Sequence, residues 1–193
     1  MRKVLIGFLA MGLCVLGFGA MWMVRADDND PVKFTAKLDG FQELGALNNE
    51  TGAILTEGKG TLTITLDRIA KTISFDLKFS GLSSNVTQSH IHFGRVHTPG
   101  GVMVFFCTNL GNGGADIPAC PATGGEVTGV RSAGDVVSVK GQNVTAGDFD
   151  ALTDALFSNS AYVNVHTMNF PAGEIRGQIR LERRGRDRDR DRK

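Results

Sequence analysis

The chain of 193 residues is poor in cysteine, with three in all, and its formal net charge is only +1. It holds one Trp and one Tyr, and its aromatics are mostly Phe, 12 of them. Near-neutrality hides an asymmetry. Residues 1–26 carry +3 and residues 183–193 carry +4, which leaves residues 27–182 at −6. An acidic body is a poor surface for phosphates, so no nucleic-acid partner is expected. The spacing of Cys107 and Cys120 fits neither C-x-x-C nor a zinc knuckle, which argues against cysteine redox or metal chemistry. The glycine-rich stretches at 111–114 and 124–125 lack the setting of a phosphate loop. No nucleophile stands in a pattern with a base. Glu43 and Glu174 could form a carboxylate pair, but nothing in the sequence places them together. No catalytic residue is therefore assigned, and the expectation leans away from an enzyme.

What is present begins with a targeting segment. Arg2 and Lys3 form a basic start, Val4 to Val24 carries no charge, and Val24-Arg25-Ala26 fits a small-residue cleavage site. Residues 1–26 read as a signal peptide. The same run is long enough, at ~20 residues, to stay uncleaved as an anchor, which is the one way a membrane would be involved. Either route puts residues 27–193 outside the cytoplasm, because the basic end stays inside. Setting Cys14 aside leaves Cys107 and Cys120, an even count that suits a disulfide in an oxidising compartment. The tail 183–193, R-R-G-R-D-R-D-R-D-R-K, has no hydrophobe to bury and reads as a disordered end, or else as an electrostatic tether.

Between these ends, residues 27–182 have one domain's worth of chain, and 25 glycines overall suit many turns. Period-two alternation marks strands at Val32–Asp39, Thr61–Leu66 and Thr72–Ser80, the last two forming a hairpin across Asp67–Ala70. Weaker signals suggest strands at Thr51–Glu57, Glu126–Arg131 and Val136–Lys140, and Val102–Phe106 is a continuous apolar run suited to a buried strand. One helix interrupts, with Thr145 as N-cap, Asp148 in its first turn, and Phe149, Leu152 and Leu156 as its apolar stripe, widened by Phe157. The last stretch, Tyr162 to Leu181, reads as two strands joined by Pro171-Ala172-Gly173. Ile175, Ile179 and Leu181 share one face of the second strand. The pattern predicts an all-β fold: a Greek-key antiparallel β-sandwich with one short helix before the C-terminal hairpin.

The histidines carry the chemistry. In Ser89-His90-Ile91-His92-Phe93-Gly94, His90 and His92 are two apart on a strand, so both rings leave one face with Cα atoms ~7 Å apart. In Tyr162-Val163-Asn164-Val165-His166, the tyrosine, amide and histidine share a face. If the two segments meet, His166 is the natural third ligand, and imidazole ligation suits copper or zinc. Tyr162, Asn164, Glu174 and Arg176 are the expected surrounding residues. His97 lies in a Gly/Pro turn and enters only where a fourth ligand is wanted. The alternative is three hydrogen-bonded structural histidines. Arg176 has two readings as well, a backbone-satisfying or ion-paired arginine of the hairpin, or an anion guide beside a metal.

These motifs resemble a known family. F-T-A-K-L-D-G-F-Q-E at 34–43, S-H-I-H-F-G at 89–94, G-G-V-M-V-F-F-C at 100–107 and Y-V-N-V-H-T with F-P-A-G-E-I-R-G-Q-I at 162–179 are similar to the CHRD domain of chordin and of many secreted bacterial proteins. The resemblance covers about residues 32–181. It implies an extracytoplasmic β-sandwich module, in the envelope or secreted, with an unknown ligand there and no enzymatic activity to carry over. A further likeness is to Cu,Zn superoxide dismutase, also a Greek-key sandwich with an H-x-H copper pair and a nearby arginine. This chain departs from that enzyme in having no zinc subloop, no fourth histidine other than His97, and a cysteine pair closing a different loop. Three readings follow: a metal-binding module, a copper redox enzyme of superoxide-dismutase type, and a metal-free structural or adhesive domain.

Overall fold

A computed structural model describes residues 30–44 and 52–182. The signal segment, the Arg/Asp tail and Thr51 lie outside the described residues. Among the described residues nine strands form in chain order: β1 Val32–Asp39, β2 Lys59–Asp67, β3 Thr72–Ser80, β4 Val86–Phe93, β5 Gly101–Thr108, β6 Gly125–Ser132, β7 Ala161–Thr167, β8 Ile175–Gln178 and β9 Arg180–Leu181. One helix, α1 Phe149–Phe157, precedes β7. Every strand pair is antiparallel. The strands lie side by side as β5-β4-β7-β8-β1-β2-β3-β6, with β9 also on β1. The fold is thus all-β, with the expected helix in the expected place.

The order is set by burial. In β1, β2 and β3 every second residue is apolar, and Phe34, Leu38, Leu62, Ile64, Leu66, Ile73 and Leu77 are all essentially inaccessible. Ile91, Val163, Val165, Ile175 and Ile179 continue that inner face, and Phe149, Leu152 and Leu156 of α1 pack onto the same core. The sheet curls so far that its two edges meet. Arg131 of β6 reaches β5, its Nε donating to the Phe105 carbonyl at 2.9 Å and its Nη2 to the Phe106 carbonyl at 3.1 Å. A charge-assisted pair of this kind closes a seam that would otherwise be two open edges. The Cys107–Cys120 disulfide forms and ties the end of β5 to the following loop; closing a loop of that size contributes about 3 kcal/mol in the chain-entropy model.

Several local expectations need correction. Residues 52–57 form no strand. They run as coil and deliver the Thr56 hydroxyl to Glu174 at 2.6 Å. Residues 136–140 form no strand either, because 3-10 turns at Ala133–Asp135 and Lys140–Gln142 bracket them; Val137 N–H reaches the Met103 carbonyl, and Val139 bridges to Val144. The helix starts later than Thr145. Asp148 is its N-cap and accepts from the Ala151 N–H at 2.9 Å. Phe157 is half exposed, its ring edge against Phe34. Leu181 does not join the inner face: it is 48% exposed, because the strand breaks at Ile179 between β8 and β9.

Candidate metal centre

The two histidine segments do meet. β4 pairs with β7, and the register sets Gln88 opposite His166, His90 opposite Asn164 and His92 opposite Tyr162. On β8, Arg176 faces Asn164 and Gln178 faces Tyr162. Period-two geometry therefore puts His90, His92, Tyr162, Asn164, His166, Arg176 and Gln178 on one face of three adjacent strands, opposite to the core. Register shifts in β5 flank His90 on both sides, between Ser89 and His90 and between Ile91 and His92. Such bulges re-aim side chains locally.

This outer face is buried too. His90 is 1% exposed, His92 8% and His166 6%. The His90 ring lies 4.5 Å from that of His92, 4.6 Å from that of His166 and edge-on to Phe105 at 5.1 Å. One ring nitrogen from each histidine falls within 4.8 Å of the other two. Ligands of a tetrahedral zinc with bonds of about 2.0–2.1 Å stand roughly 3.3 Å apart, so the rings would have to close by up to about 1.5 Å to hold one.

Each ring has a different set of partners. His92 Nδ1 donates to the Gly100 carbonyl at 2.8 Å, and His166 Nδ1 donates to the Pro171 carbonyl at 2.9 Å. Their Nε2 atoms both lie 3.0 Å from Asn164 Oδ1. His90 has no partner at either nitrogen. Burial is the main force on all three, followed at His90 by the neighbouring histidines; it pushes the His90 imidazole down to about 2 and the His92 imidazole down to about 4, and it lowers His166 as well. All three shifts favour the neutral ring, the form that binds metal.

The surrounding residues lock this arrangement. Tyr162 stacks on His92 with centroids 4.6 Å apart and planes 4° apart. The Arg176 guanidinium sits 3.4 Å from the Tyr162 ring centroid and donates to the carbonyls of Arg95 and Thr98, both at 2.9 Å. Arg176 therefore satisfies backbone, as the first of its two readings expected, and fastens the 94–100 loop over the rings. Glu43, missed as a neighbour of the site, is buried against it. Its Oε2 lies 3.4 Å from Asn164 Nδ2, and burial pushes its carboxyl up despite the Leu44 N–H, the Asn164 amide and Arg176. Gly173 makes room: with φ at 131° it is in glycine's region, and a Cβ there would overlap the Glu43 carboxylate. The signal for Glu43 was F-Q-E after β1, but its contact is long-range and no local pattern encodes it.

Two expected residues sit elsewhere. Glu174 gathers Thr56 Oγ1, Ser83 N–H, Ser83 Oγ and Thr167 Oγ1 and is not among the partners of the histidines. Burial pushes its carboxyl up, but those four bonds together hold it below the usual carboxylate range. His97 is exposed on the 94–100 loop with φ at 57°. Nor do Glu43 and Glu174 form a carboxylate pair, since each is tied to its own partners.

The family model of the CHRD domain matches residues 34–179. That span contains all three histidines, Tyr162, Asn164, Arg176 and both cysteines. No curated protein matches the chain significantly.

Proposed function

This chain belongs to the CHRD domain family, and from that premise we propose that it is a non-enzymatic extracytoplasmic module that binds copper or zinc through His90, His92 and His166. The observation that carries the reading is His90. A neutral imidazole has one donor and one acceptor to satisfy, and His90 leaves both unmet at 1% exposure. An unmet buried polar group costs about 1–3 kcal/mol. A cation drawn to the His90 lone pair, shared with the two adjacent rings, removes the acceptor's share of that cost. The carbonyl-bound Nδ1 protons of His92 and His166 support it, because ligating histidines commonly hold their other nitrogen this way.

The burial of the rings weighs against the superoxide-dismutase reading, which needs an open coordination position reached by substrate. Arg176 supports the same preference, since its guanidinium is committed to loop carbonyls rather than to an entering anion. The basic, uncharged and small-residue succession of the first 26 residues and the disulfide support an extracytoplasmic setting. Any envelope or extracellular ligand of the module would lie beyond this site.

The test is metal content of secreted, disulfide-intact protein, by elemental analysis and Cu(II) EPR. It is run beside a His90→Ala/His92→Ala/His166→Ala variant. About one metal per chain, lost in the variant, is the expected result. No metal in either after copper and zinc are offered would leave a metal-free binding or structural domain.

A further inference from the structure

We infer that Asn164 supplies the fourth ligand through Oδ1, completing a closed site of three nitrogens and one oxygen that takes a divalent cation, zinc or copper(II), in preference to copper(I). The inference rests on the metal reading above and names the donor set and the class of ion.

Proton accounting leads to it. A carbonyl oxygen can only accept, so His92 Nδ1 and His166 Nδ1 each carry a proton toward Gly100 and Pro171. A neutral imidazole, the ordinary form of the ring above a pKa of about 6.5, has only one such proton. Both Nε2 atoms are therefore bare lone pairs. Yet both point at one oxygen, Asn164 Oδ1, at 3.0 Å. Three electron-pair donors thus converge with no proton among them. His90, opposite Asn164 in the β4–β7 register, adds a fourth. A cation at that point satisfies all four at once.

One metal-free arrangement competes. Turning the amide by half a turn would let Nδ2 donate to both Nε2 atoms. That rotation would bring Oδ1 up against Glu43 Oε2, where Nδ2 now stands at 3.4 Å. Two oxygens face to face repel, so the Glu43 carboxylate is what orients Oδ1 inward. Gly173 allows the carboxylate to stand there. Glu43 is accordingly a positioning residue, and Asn164 a ligand.

The donor set selects the ion. An amide oxygen is a hard ligand, favoured by divalent ions and disfavoured by copper(I), which prefers sulfur and imidazole. Four protein ligands around zinc also leave no open position, which is the mark of a structural rather than a catalytic site.

The experiment uses the secreted, disulfide-intact chain as wild type, Asn164→Ala and Glu43→Gln/Asn164→Asp. Zinc affinity is read by chelator competition, Co(II) coordination by its visible absorption, and copper(I) affinity in parallel. Wild type is expected to bind one zinc. Asn164→Ala weakens zinc by about 10–100-fold and shifts the Co(II) bands as water replaces the amide, with copper(I) affinity unchanged. Asn164→Asp, made on a Glu43→Gln background so that an amide rather than a carboxylate faces its second oxygen, is isosteric and anionic and tightens zinc on the order of 10-fold, so the test survives if the alanine variant folds poorly. Zinc affinity and Co(II) spectra that are the same in all three proteins would overturn the ligand role while leaving the histidine site standing. Wild type that takes up copper(I) but no divalent ion would overturn the choice of ion, and wild type that takes up no metal at all would overturn the metal reading itself.

Discussion

β7 is buried along both faces, and its two faces obey different rules. On the inner face, Val163 and Val165 join the main core. On the outer face, Tyr162, Asn164 and His166 are covered by loops and by the side chains of β4 and β8. Burying an apolar side chain stabilises by about 1.5–3 kcal/mol whatever its exact neighbours. Burying a polar one costs unless each donor and acceptor finds a partner. The inner face is therefore tolerant of detail and strict about volume. The outer face is strict about partners. Gly100, Pro171 and the loop carbonyls that Arg176 reaches meet part of its demand; the His90 nitrogens, the Nε2 lone pairs of His92 and His166 facing Asn164 Oδ1, and Gln178 Oε1 are where the demand is left over.

The largest expected effect is on the inner face. Ile91 sits between His90 and His92 but points into the core. Ile91→Ala should cost about 2–5 kcal/mol in chemical denaturation, with zinc stoichiometry of the folded fraction unchanged. Loss of stoichiometry at equal stability would break the separation of the faces. Next comes Gly173→Ala, which places a Cβ against Glu43 and forces an L residue to φ 131°. It should cost about 1–3 kcal/mol and also weaken metal binding, because Asn164 moves with Glu43.

A paired substitution on the outer face sharpens the contrast. In chelator-treated protein, His92→Leu strands the Gly100 carbonyl and should cost about 1–3 kcal/mol. His90→Leu strands nothing, and its effect should lie within about 1 kcal/mol of zero. A large loss at His90 in the absence of metal would show that the ring has a partner after all.

The smallest effect is one of pH. The Glu174 carboxyl is held below its ordinary value of 4.5, so its contribution is complete above that value and fades as pH falls through the lower folded one. Denaturation midpoints taken between about pH 6 and about pH 3 should fall less steeply for Glu174→Gln than for wild type. Equal slopes would mean that Thr56, Ser83 and Thr167 do not hold the ionised form.

Much of this was legible along the chain. Alternation located β1, β2 and β3, and Thr72–Ser80 agrees to the residue. The paired motifs around His90 and His166 were visible as strand faces. The two missed strand assignments share one cause. Residues 52–57 and 136–140 have β-like composition, but their backbone groups go to turns and to single long-range bonds, which no local period reports. Asp148 displaced Thr145 as the cap because a turn ending at Gly147, with φ at 82°, delays the helix. Glu43 was missed as part of the site for the opposite reason: its local pattern is ordinary, and only its distant contacts are not.

The sequence by itself determined which residues alternate, and hence an all-β body, the disulfide, and a histidine-bearing face on each of two strands. The all-β body and the histidine faces are consequences of backbone geometry with a period of two, and the disulfide follows from the even cysteine count that is left once Cys14 is set aside. Tertiary structure alone decided that β7 would lie between β4 and β8, that Arg131 would close the seam, and that the Asn164 amide would stand between Glu43 and the rings of His92 and His166. These depend on pairings between residues up to 121 positions apart, which become favourable only once the apolar face has brought the strands together.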